Sequence, residues 1–346
     1  MPRGDASSAL ITDVLEEYGS ATREALFEYI PSGEPRESLY DLCADYPRRG
    51  GRAMRPSLCI ATARAFGRSV GEALLTAVSI EMLHNAMLIH DDIEDESEKR
   101  RGLPALHVTE GVPIAINVGD MLTLLSLRPL LDNGERLGPS LALRLLEETE
   151  RMGRESAEGQ AIELGWRRDN PSDVSEADYL LMVLKKTCWL ATIHPVHAGA
   201  LIGTAGRFPS EPVLRFGYLL GAAFQIQDDV LNLIGDEARY GKEIGGDIHE
   251  GKRTLMLIHL FEHATQGERD RLHQLMAQPR ADRSAKDVQW VYEAMLSYDS
   301  VGYAQRFAQG LAGAAQYEFD RLFGSLPDSR DKRFIASLPA WVIERS

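Results

Sequence analysis

Cysteine is scarce in this chain of 346 residues, which contains only Cys43, Cys59 and Cys188. The three are widely separated and lack the spacing of metal ligands, and an odd, sparse set argues against a disulfide framework. We therefore expect a reduced, cytoplasmic environment. The first residues lack the basic and then apolar layout of a signal peptide, and we expect no apolar run to act as a membrane span.

Positive charge is also in short supply. Lys and Arg number 38 against 52 Asp and Glu, which leaves a formal net charge of −14. This balance argues against general binding to nucleic acid or to an anionic membrane. An acidic protein can still bind an anion locally, so the positions of the basic residues matter more than their total.

Strand-like alternation is nearly absent, and helical periodicity dominates, which predicts an all-α fold. Several segments, such as residues 218–233, are apolar around most of the helix and belong inside a large bundle. No linker-like break divides the chain, so we expect one domain over residues 1–346. The candidate helices cover about residues 8–30, 55–66, 70–99, 112–131, 138–166, 175–206, 210–235, 253–265, 286–299, 301–324 and 329–343.

The first of two acidic clusters runs from Asp91 to Asp95 and follows the strongly apolar residues 80–89. A charge run is ordinarily a solvated helix face, but this apolar run places Asp91 where a buried helix emerges. Asp91 and Asp95 are one turn apart and project from one face of a helix. Carboxylates of this kind suit Mg²⁺, which takes one or two of them together with water and phosphate oxygens.

The second cluster contains Asp228, Asp229 and Asn232 and lies in another apolar run. Two adjacent carboxylates are costly to bury without a cation, so a metal ion or a basic partner is implied. Basic residues follow each cluster, namely Arg100, Arg101, Lys242 and Lys252. Because these are the charges that a diphosphate would need, the pattern favours a metal-bound diphosphate.

Three weaker features have plain structural alternatives. Gly50 and Gly51 allow close backbone approach, and Arg52 and Arg55 then share a face at the entry of a helix, although a surface arginine pair is the default. Lys186 at the mouth of an apolar stretch is ordinarily a snorkelling side chain. The segment of residues 235–252 is either a solvated connector or a lid that carries two lysines over a phosphate.

Taken together, these motifs resemble those of the trans-prenyl diphosphate synthases (polyprenyl synthetases) over nearly the whole chain. Asp91, Asp92 and Asp95 match a DDxxD motif, which Arg100, Arg101 and Gly102 follow as Arg-Arg-Gly. Further matches are the FQIQDD motif with Gln225, Asp228 and Asp229, the Lys-Thr pair Lys186 and Thr187, and the glycine–lysine pairs that end at Lys242 and Lys252. The amino-acid sequence around these motifs is most similar to that of geranylgeranyl diphosphate synthases of the eukaryotic type.

The resemblance implies an isoprenoid-synthase helical bundle with a central active-site cavity, a homodimer, and three Mg²⁺ ions per active site. The implied metal site comprises Asp91, Asp92, Asp95, Asp228 and Asp229, in which Asp92 and Asp229 support the other three. The implied allylic diphosphate site comprises Arg100, Lys186, Lys242 and Lys252. The implied isopentenyl diphosphate site comprises Arg52, Arg55, His84 and Arg101. Lys186, Thr187 and Gln225 would face the allyl cation.

The chemistry implied is ionisation, condensation and elimination. Magnesium and the cations would neutralise a leaving diphosphate, and the isopentenyl double bond would then attack the allyl cation. Met87 and the small Ala86 lie one turn before Asp91, and Met121, Thr123 and Leu124 on the next helix would form the floor of the chain pocket. We expect a C20 product, with C15 and C25 as neighbours.

Three departures from the family pattern and two alternative functions bear on this expectation. Arg52 and Ala53 replace a common Lys-Arg pair, Glu163 stands where the family places Asp, and Cys188 with Trp189 replaces a small pair beside the cation. A class I terpene cyclase on the same fold is one alternative, since Asp228, Asn232 and Asp236 mimic a cyclase metal triad. A catalytically silent partner subunit is another, although both acidic clusters are intact.

Overall fold

Helices make up nearly all of the regular structure in the computed structural model, which describes residues 3–235 and 245–344. This confirms the all-α prediction. The α-helices, numbered in chain order, are α1 Arg3–Glu28, α2 Asp41–Cys43, α3 Asp45–Arg48, α4 Met54–Ala65, α5 Val70–Glu94, α6 Leu106–Glu110, α7 Val112–Leu125, α8 Leu127–Leu137, α9 Pro139–Asp169, α10 Glu176–Val183, α11 His194–Gly203, α12 Ser210–Ile234, α13 Gly246–Glu250, α14 Leu255–His263, α15 Gln266–Met276, α16 Ala285–Ser297, α17 Ser300–Phe323 and α18 Arg330–Glu344. The other helical elements of the described residues are two π-helices, Arg36–Tyr40 and Leu184–Ile193, and a 3₁₀ turn, Arg280–Asp282.

The long first acidic helix ends earlier than its sequence pattern predicts. α5 stops at Glu94, and Lys99–Arg100 (β1) then pairs antiparallel with Leu103–Pro104 (β2). Arg101 and Gly102 connect the two strands, both at positive φ, as a two-residue hairpin turn requires. This turn brings Arg100 back toward the helix that carries the acidic cluster.

Two predicted helices are interrupted at prolines. The predicted helix over 112–131 is two helices that meet at Ser126, because the ring of Pro129 conflicts with the carbonyl four residues before it. The predicted helix over 175–206 contains the π-helix Leu184–Ile193, where the N–H of His194 reaches back to the carbonyl of Trp189. Pro195 follows directly and cannot donate the next helical bond, so the wider turn accommodates it. Among the described α-helices, α2, α3, α6, α13 and α15 were not anticipated.

Two of the helical segments, Val70–Glu94 and Val112–Leu137, are long and apolar enough to cross a membrane by length and composition. The sequence pattern had suggested none. In the first, 72% of the apolar window is buried inside the protein, as expected of a core helix, whereas in the second only 39% is buried. Length and composition alone are weak evidence that a helix spans a membrane. The second segment, α7 with α8, has an exposed apolar face.

The helices pack in an arrangement that leaves a central cavity. α12 packs against α17 and against the π-helix Leu184–Ile193, α4 packs against α11, and α5 packs against α7. The largest apolar clusters lie on either side of α12, where Phe216 and Leu220 face one cluster and Ile226 and Val230 face the other. These buried clusters hold the helix ends that carry the polar residues around the cavity.

Candidate active site

A cavity of about 850 Å³ lies between α5, α9, α12 and the π-helix Leu184–Ile193, and it collects most of the residues that the sequence singled out. The candidate residues that line it are Arg52, Arg55, His84, Met87, Asp91, Arg100, Arg101, Lys186, Thr187, Gln225, Asp228, Asp229 and Lys252. The candidates outside its lining are Ala86, Asp92, Asp95, Met121 and Leu124. Lys242 lies outside the described residues.

Asp91 lies beside two cations at one end of the cavity. Its Oδ1 is 3.3 Å from Lys186 Nζ, and its Oδ2 is 3.7 Å from an Arg100 guanidinium nitrogen. Lys186 also pairs closely with Glu163. Burial alone would lower the pKa of Lys186, but the charges of Glu163 and Asp91 outweigh it and raise that pKa, so the ammonium remains charged.

Lys186 owes its position to a close approach between two helix backbones. A Cβ atom on Gly159 of α9 would lie only 2.1 Å from the Lys186 backbone nitrogen. Only glycine permits this contact. It brings Glu163, one turn further along α9, within reach of the Lys186 side chain.

Asp92 points away from the cavity and is fully buried. Tyr46 donates its hydroxyl to Asp92 Oδ2 at 2.6 Å, and Arg100 Nε lies 3.0 Å from both carboxylate oxygens. These bonds occupy both carboxylate oxygens, so Asp92 holds Arg100 in place.

Asp95 is also buried, at 1% exposure, and lies among cations. Arg167 donates to Asp95 Oδ1 at 2.6 Å, and Lys252 Nζ lies 2.9 Å from Asp95 Oδ2. Burial, followed by the like charge of Asp91, raises the pKa of Asp95. The Asp95–Lys252 contact joins the end of α5 to the segment after α13. The sequence pattern did not single out Arg167.

The second acidic cluster differs from the first, because Asp228 and Asp229 both line the cavity. Asp229 accepts from Tyr179 at 2.8 Å and from Gln225 at 2.7 Å. Burial, and then the charge of Asp247, raise the pKa of Asp229 well above its usual range. Thr187 donates to the other side of the Gln225 amide at 2.8 Å, so the three candidate residues form one chain of hydrogen bonds.

Arg52, Arg55 and Arg101 form a second group of cations that lines the cavity near the start of α4. The buried carboxylate of Glu81 lies near Arg55 and Arg101. Glu81 accepts from Asn85 at 3.0 Å and lies 3.5 Å from His84 Nδ1. Burial would raise the pKa of Glu81, but His84 and the charges of Arg101 and Arg55 lower it overall. Burial, and then the charge of Arg55, lower the pKa of His84 to about 4.

Arg55 in this group has an unsatisfied donor. Its Nε is buried without a hydrogen-bond partner, and burial lowers its pKa to about 10. A buried guanidinium with an unpaired donor is costly, and an anionic ligand in the cavity would satisfy it. The cation group therefore fits a diphosphate.

Several lining residues were missed from the sequence. Glu81 had a usable signal, because a carboxylate inside an apolar helix requires a cationic partner. Tyr179, Phe224 and Trp341 gave none, since single aromatic residues in helices are ordinarily core residues. Their contribution to the cavity depends on helix packing alone.

The candidates for the chain pocket differ in whether their side chains face the cavity. Met87 lines the cavity, whereas Ala86 packs in an apolar cluster with Met82 and Ile89. On α7, Thr123 lines the cavity, while Met121 packs against the neighbouring core and Leu124 is 63% exposed. Of the floor expected at Met121, Thr123 and Leu124, only Thr123 lines the cavity, together with Asp120, so Met121 and Leu124 are corrected to positions outside it.

Two of the departures from the family pattern, Glu163 and the Cys188–Trp189 pair, lie at different positions relative to the cavity. Glu163 lines the cavity and holds Lys186. Cys188 and Trp189 are buried behind the cavity wall, where Arg151 stacks on the indole at 4.6 Å from the ring centroid. The pair therefore does not line the cavity.

The oxygen donors suit a hard cation. Asp91, Glu94, Asp228 and Asp229 all line the cavity. Within residues 3–235 and 245–344, no three His, Cys, Asp or Glu side chains are grouped so that they alone could hold a metal ion. Such a donor set fits Mg²⁺, which takes few protein carboxylates and completes its shell with water and substrate oxygens.

Comparison with known proteins identifies this arrangement. The model of the polyprenyl synthetase family matches residues 36–295. The chain belongs to the polyprenyl synthetase family. It is 32% identical to a short chain isoprenyl diphosphate synthase of Methanothermobacter thermautotrophicus, over 97% of this chain and 98% of that protein. It is 28% identical to a geranylfarnesyl diphosphate synthase of Natronomonas pharaonis, over 97% and 98%.

The fold is shared with a solved member of the family. The crystal structure of geranylgeranyl pyrophosphate synthetase from Pyrococcus horikoshii has a TM-score of 0.85 to this chain, at 32% identity, and covers 98% of this chain and 99% of its own. These relatives are archaeal, which corrects the expectation of a eukaryotic-type subfamily.

Proposed function

We propose that the protein condenses isopentenyl diphosphate with an allylic diphosphate, head to tail and in trans geometry, to give geranylgeranyl diphosphate. One observation carries the proposal: a single cavity holds two separate cation groups. Arg100, Lys186 and Lys252 lie by the acidic clusters, and a second group surrounds Glu81. Two groups of this kind suit two diphosphate substrates.

Magnesium is the metal that the carboxylates fit, and we infer three ions held by Asp91, Asp95 and Asp228 with diphosphate oxygens. When bound, Mg²⁺ neutralises the leaving diphosphate. Asp95 would have to exchange its contacts with Arg167 and Lys252 for this role. Asp92 and Asp229 act through their neighbours, the first on Arg100 and the second on Gln225 and Tyr179.

The side chains of this protein bind and orient the substrates and exclude water from the cavity. Lys186 and Arg100 stabilise negative charge on the departing diphosphate, which lowers the barrier to breaking the allylic C–O bond. The hydrogen-bonded Thr187 and Gln225 present oxygen atoms toward the allyl cation. Leu190 and Phe224 contribute apolar wall that excludes water. The isopentenyl double bond then attacks, and the departed diphosphate takes the proton that is lost.

The residues that line the cavity support a C20 product. Met87 narrows the space below Asp91, whereas Gly153, Ser156 and Ala157 on the facing helix α9 leave room for a chain. Thr123 provides a small side chain where a bulky aromatic would close the pocket. The C15 and C25 products are the neighbouring outcomes of the same assay.

A class I terpene cyclase is the second candidate, because Asp228, Asn232 and Asp236 are spaced like a cyclase metal triad. Asn232 Oδ1 accepts a hydrogen bond from the Asp247 backbone at 3.0 Å, so it helps to hold α13 in place. Asp236 lies outside the described residues. A cyclase would also leave the cation group around Glu81 without a substrate.

We also propose that the chain forms one domain and acts in the cytoplasm.

We further propose that the protein is a homodimer. The feature that supports the homodimer is a row of exposed apolar side chains on α7 and α8, namely Val112, Ile116, Leu124, Leu127 and Leu131. A second copy of the chain is the occupant we assign to this surface. Light scattering should give twice the chain mass for the wild type and a monomer for the Leu124→Asp and Leu131→Asp double variant. A wild-type monomer that sediments with lipid vesicles would contradict the assignment.

The decisive experiment incubates the protein and Mg²⁺ with isopentenyl diphosphate and, in turn, C5, C10 and C15 allylic diphosphates. Mass spectrometry of the dephosphorylated products should show a C20 alcohol that requires isopentenyl diphosphate. A cyclic hydrocarbon formed from an allylic diphosphate alone would establish a cyclase. No product in any mixture would favour the silent subunit.

A further inference from the structure

The C-terminal helix contributes an aromatic residue to the cavity. Trp341 of α18 lines it, and the guanidinium carbon of Arg52 lies 5.6 Å from the centroid of the Trp341 ring. This distance is within the range of a cation–π contact. α18 packs against α4, which begins two residues after Arg52, so the core holds the two elements side by side.

Arg52 differs from Arg100 and Arg101 in what holds it. Arg100 is held by the Asp92 carboxylate, and Arg101 donates to the Tyr46 carbonyl at 2.7 Å. In the described part of the chain, Arg52 forms neither a hydrogen bond nor an ion pair, and the Trp341 ring is the contact that orients it.

The backbone around Arg52 is constrained as well. Gly51 has φ +140°, and a Cβ atom there would lie 2.8 Å from an Arg101 guanidinium nitrogen. Ala53 adopts a left-handed conformation, with φ +50°. Arg52 and Trp341 both line the cavity after this tight turn, and no described residue hydrogen-bonds the guanidinium edge, which is therefore available to an anion.

We propose that Trp341 is a positioning residue for isopentenyl diphosphate, acting through Arg52. The indole face holds the planar guanidinium, whose edge remains free to donate to the diphosphate. A lysine could not stack in this way, which gives a reason for arginine at position 52. The inference rests on the proposed function, because it assigns isopentenyl diphosphate to the cation group that contains Arg52.

Direct binding of isopentenyl diphosphate, without an allylic partner and therefore without turnover, tests the inference. Calorimetry should show that Trp341→Leu weakens this binding by about two- to fivefold, the range of an exposed cation–π contact. Trp341→Phe should retain part of the affinity. In steady-state assays, the KM for isopentenyl diphosphate should rise, while the KM for the allylic diphosphate stays unchanged.

A matched control comes from another stacked pair. Arg271 lies 3.8 Å from the Trp290 ring centroid, and Trp290 does not line the cavity. Trp290→Leu should therefore leave both KM values unchanged. In an Arg52→Ala background, Trp341→Leu should cause no further loss of isopentenyl diphosphate affinity, because the two residues act as a unit.

The outcomes separate this inference from the function on which it rests. If the wild type binds isopentenyl diphosphate and Trp341→Leu binds it equally well, the positioning role is wrong. An additive loss in the Arg52→Ala background, or an equal rise in both KM values, would overturn it too. If the wild type binds no isopentenyl diphosphate, the proposed function itself fails. Thermal unfolding of each variant verifies that the fold is intact.

Discussion

The guanidinium of Arg100 lies along the carboxylate of Asp92, with Nε 3.0 Å from both Asp92 oxygens, and the pair is shielded from solvent. Asp91, the adjacent residue, lines the cavity instead. Two neighbouring carboxylates of one motif therefore differ in position: one holds a cation in place, and the other lines the cavity.

This division predicts different effects of mutating the two residues. Asp92→Ala removes the closer of the two carboxylates that pair with the buried Arg100 and should lower the free energy of unfolding by about 3–5 kcal/mol. Asp91→Ala should abolish turnover while leaving that free energy within about 1 kcal/mol of the wild type, because Asp91 is partly exposed. Urea unfolding and product assays on both variants measure this. Equal stability losses would contradict the assignment.

Gly159 allows α9 to approach the π-helix, and Gly159→Ala should push Lys186 out of place. The Cβ atom would meet the Lys186 backbone, which we expect to cost about 1–3 kcal/mol of stability and to reduce turnover. Gly165→Ala on the same helix is the control, since a Cβ atom there meets nothing within 4 Å. It should stabilise the protein by about 0.5–1 kcal/mol with normal turnover. Similar results for both variants would refute the close contact.

His194 predicts a pH dependence of stability. Its Nε2 lies 3.2 Å from the Thr149 hydroxyl, which itself donates to the Leu145 carbonyl, so the imidazole donates from Nε2. Burial, and then the neighbouring His197, lower the pKa of His194 to about 4. An unfolded histidine has a pKa of about 6.5. As the pH falls from 6.5 to 4, the unfolded chain therefore binds a proton that the folded chain does not, and stability decreases.

The test compares the wild type with His194→Gln, which removes the titration and keeps a donor for Thr149. Between pH 7 and pH 4.5, the wild type should lose about 2–3 kcal/mol more unfolding free energy than the variant. Carboxylates that titrate in this window are common to both proteins and cancel in the comparison. Identical losses would show that His194 is accessible to protons in the folded protein.

Met87 of α5 and Thr123 of the neighbouring α7 both line the cavity and should control product length. Met87→Ala should lengthen the main product, because it removes bulk below Asp91. Thr123→Phe should shorten it by filling the pocket. Mass spectrometry of the products measures both effects.

The adjacent residue provides the control for this prediction. Leu124 is exposed on the other side of α7, so Leu124→Phe should leave the product length unchanged. If Leu124→Phe shortens the product and Thr123→Phe does not, the orientation of α7 is wrong.

The local sequence pattern predicted much of the fold, and the errors in that prediction have local causes. Apolar periodicity located the long helices, because burial of one face imposes that period. The pattern missed the end of α5, where the hairpin of Lys99–Arg100 and Leu103–Pro104 follows, since a two-residue turn leaves little trace amid a charge run. It also missed α15, whose composition is mostly polar.

The chain alone dictated the helical class and the two acidic clusters, because residue type and spacing are local properties of the sequence. Packing decided which members face the cavity. A helical period fixes the angle between Asp91 and Asp92 but not the absolute rotation of α5, which depends on the apolar contacts around it. The same holds for Thr123 and Leu124 on α7. The meeting of Arg52 with Trp341 depends on the docking of the last helix against α4, and no local pattern encodes a contact between residues so distant in the sequence.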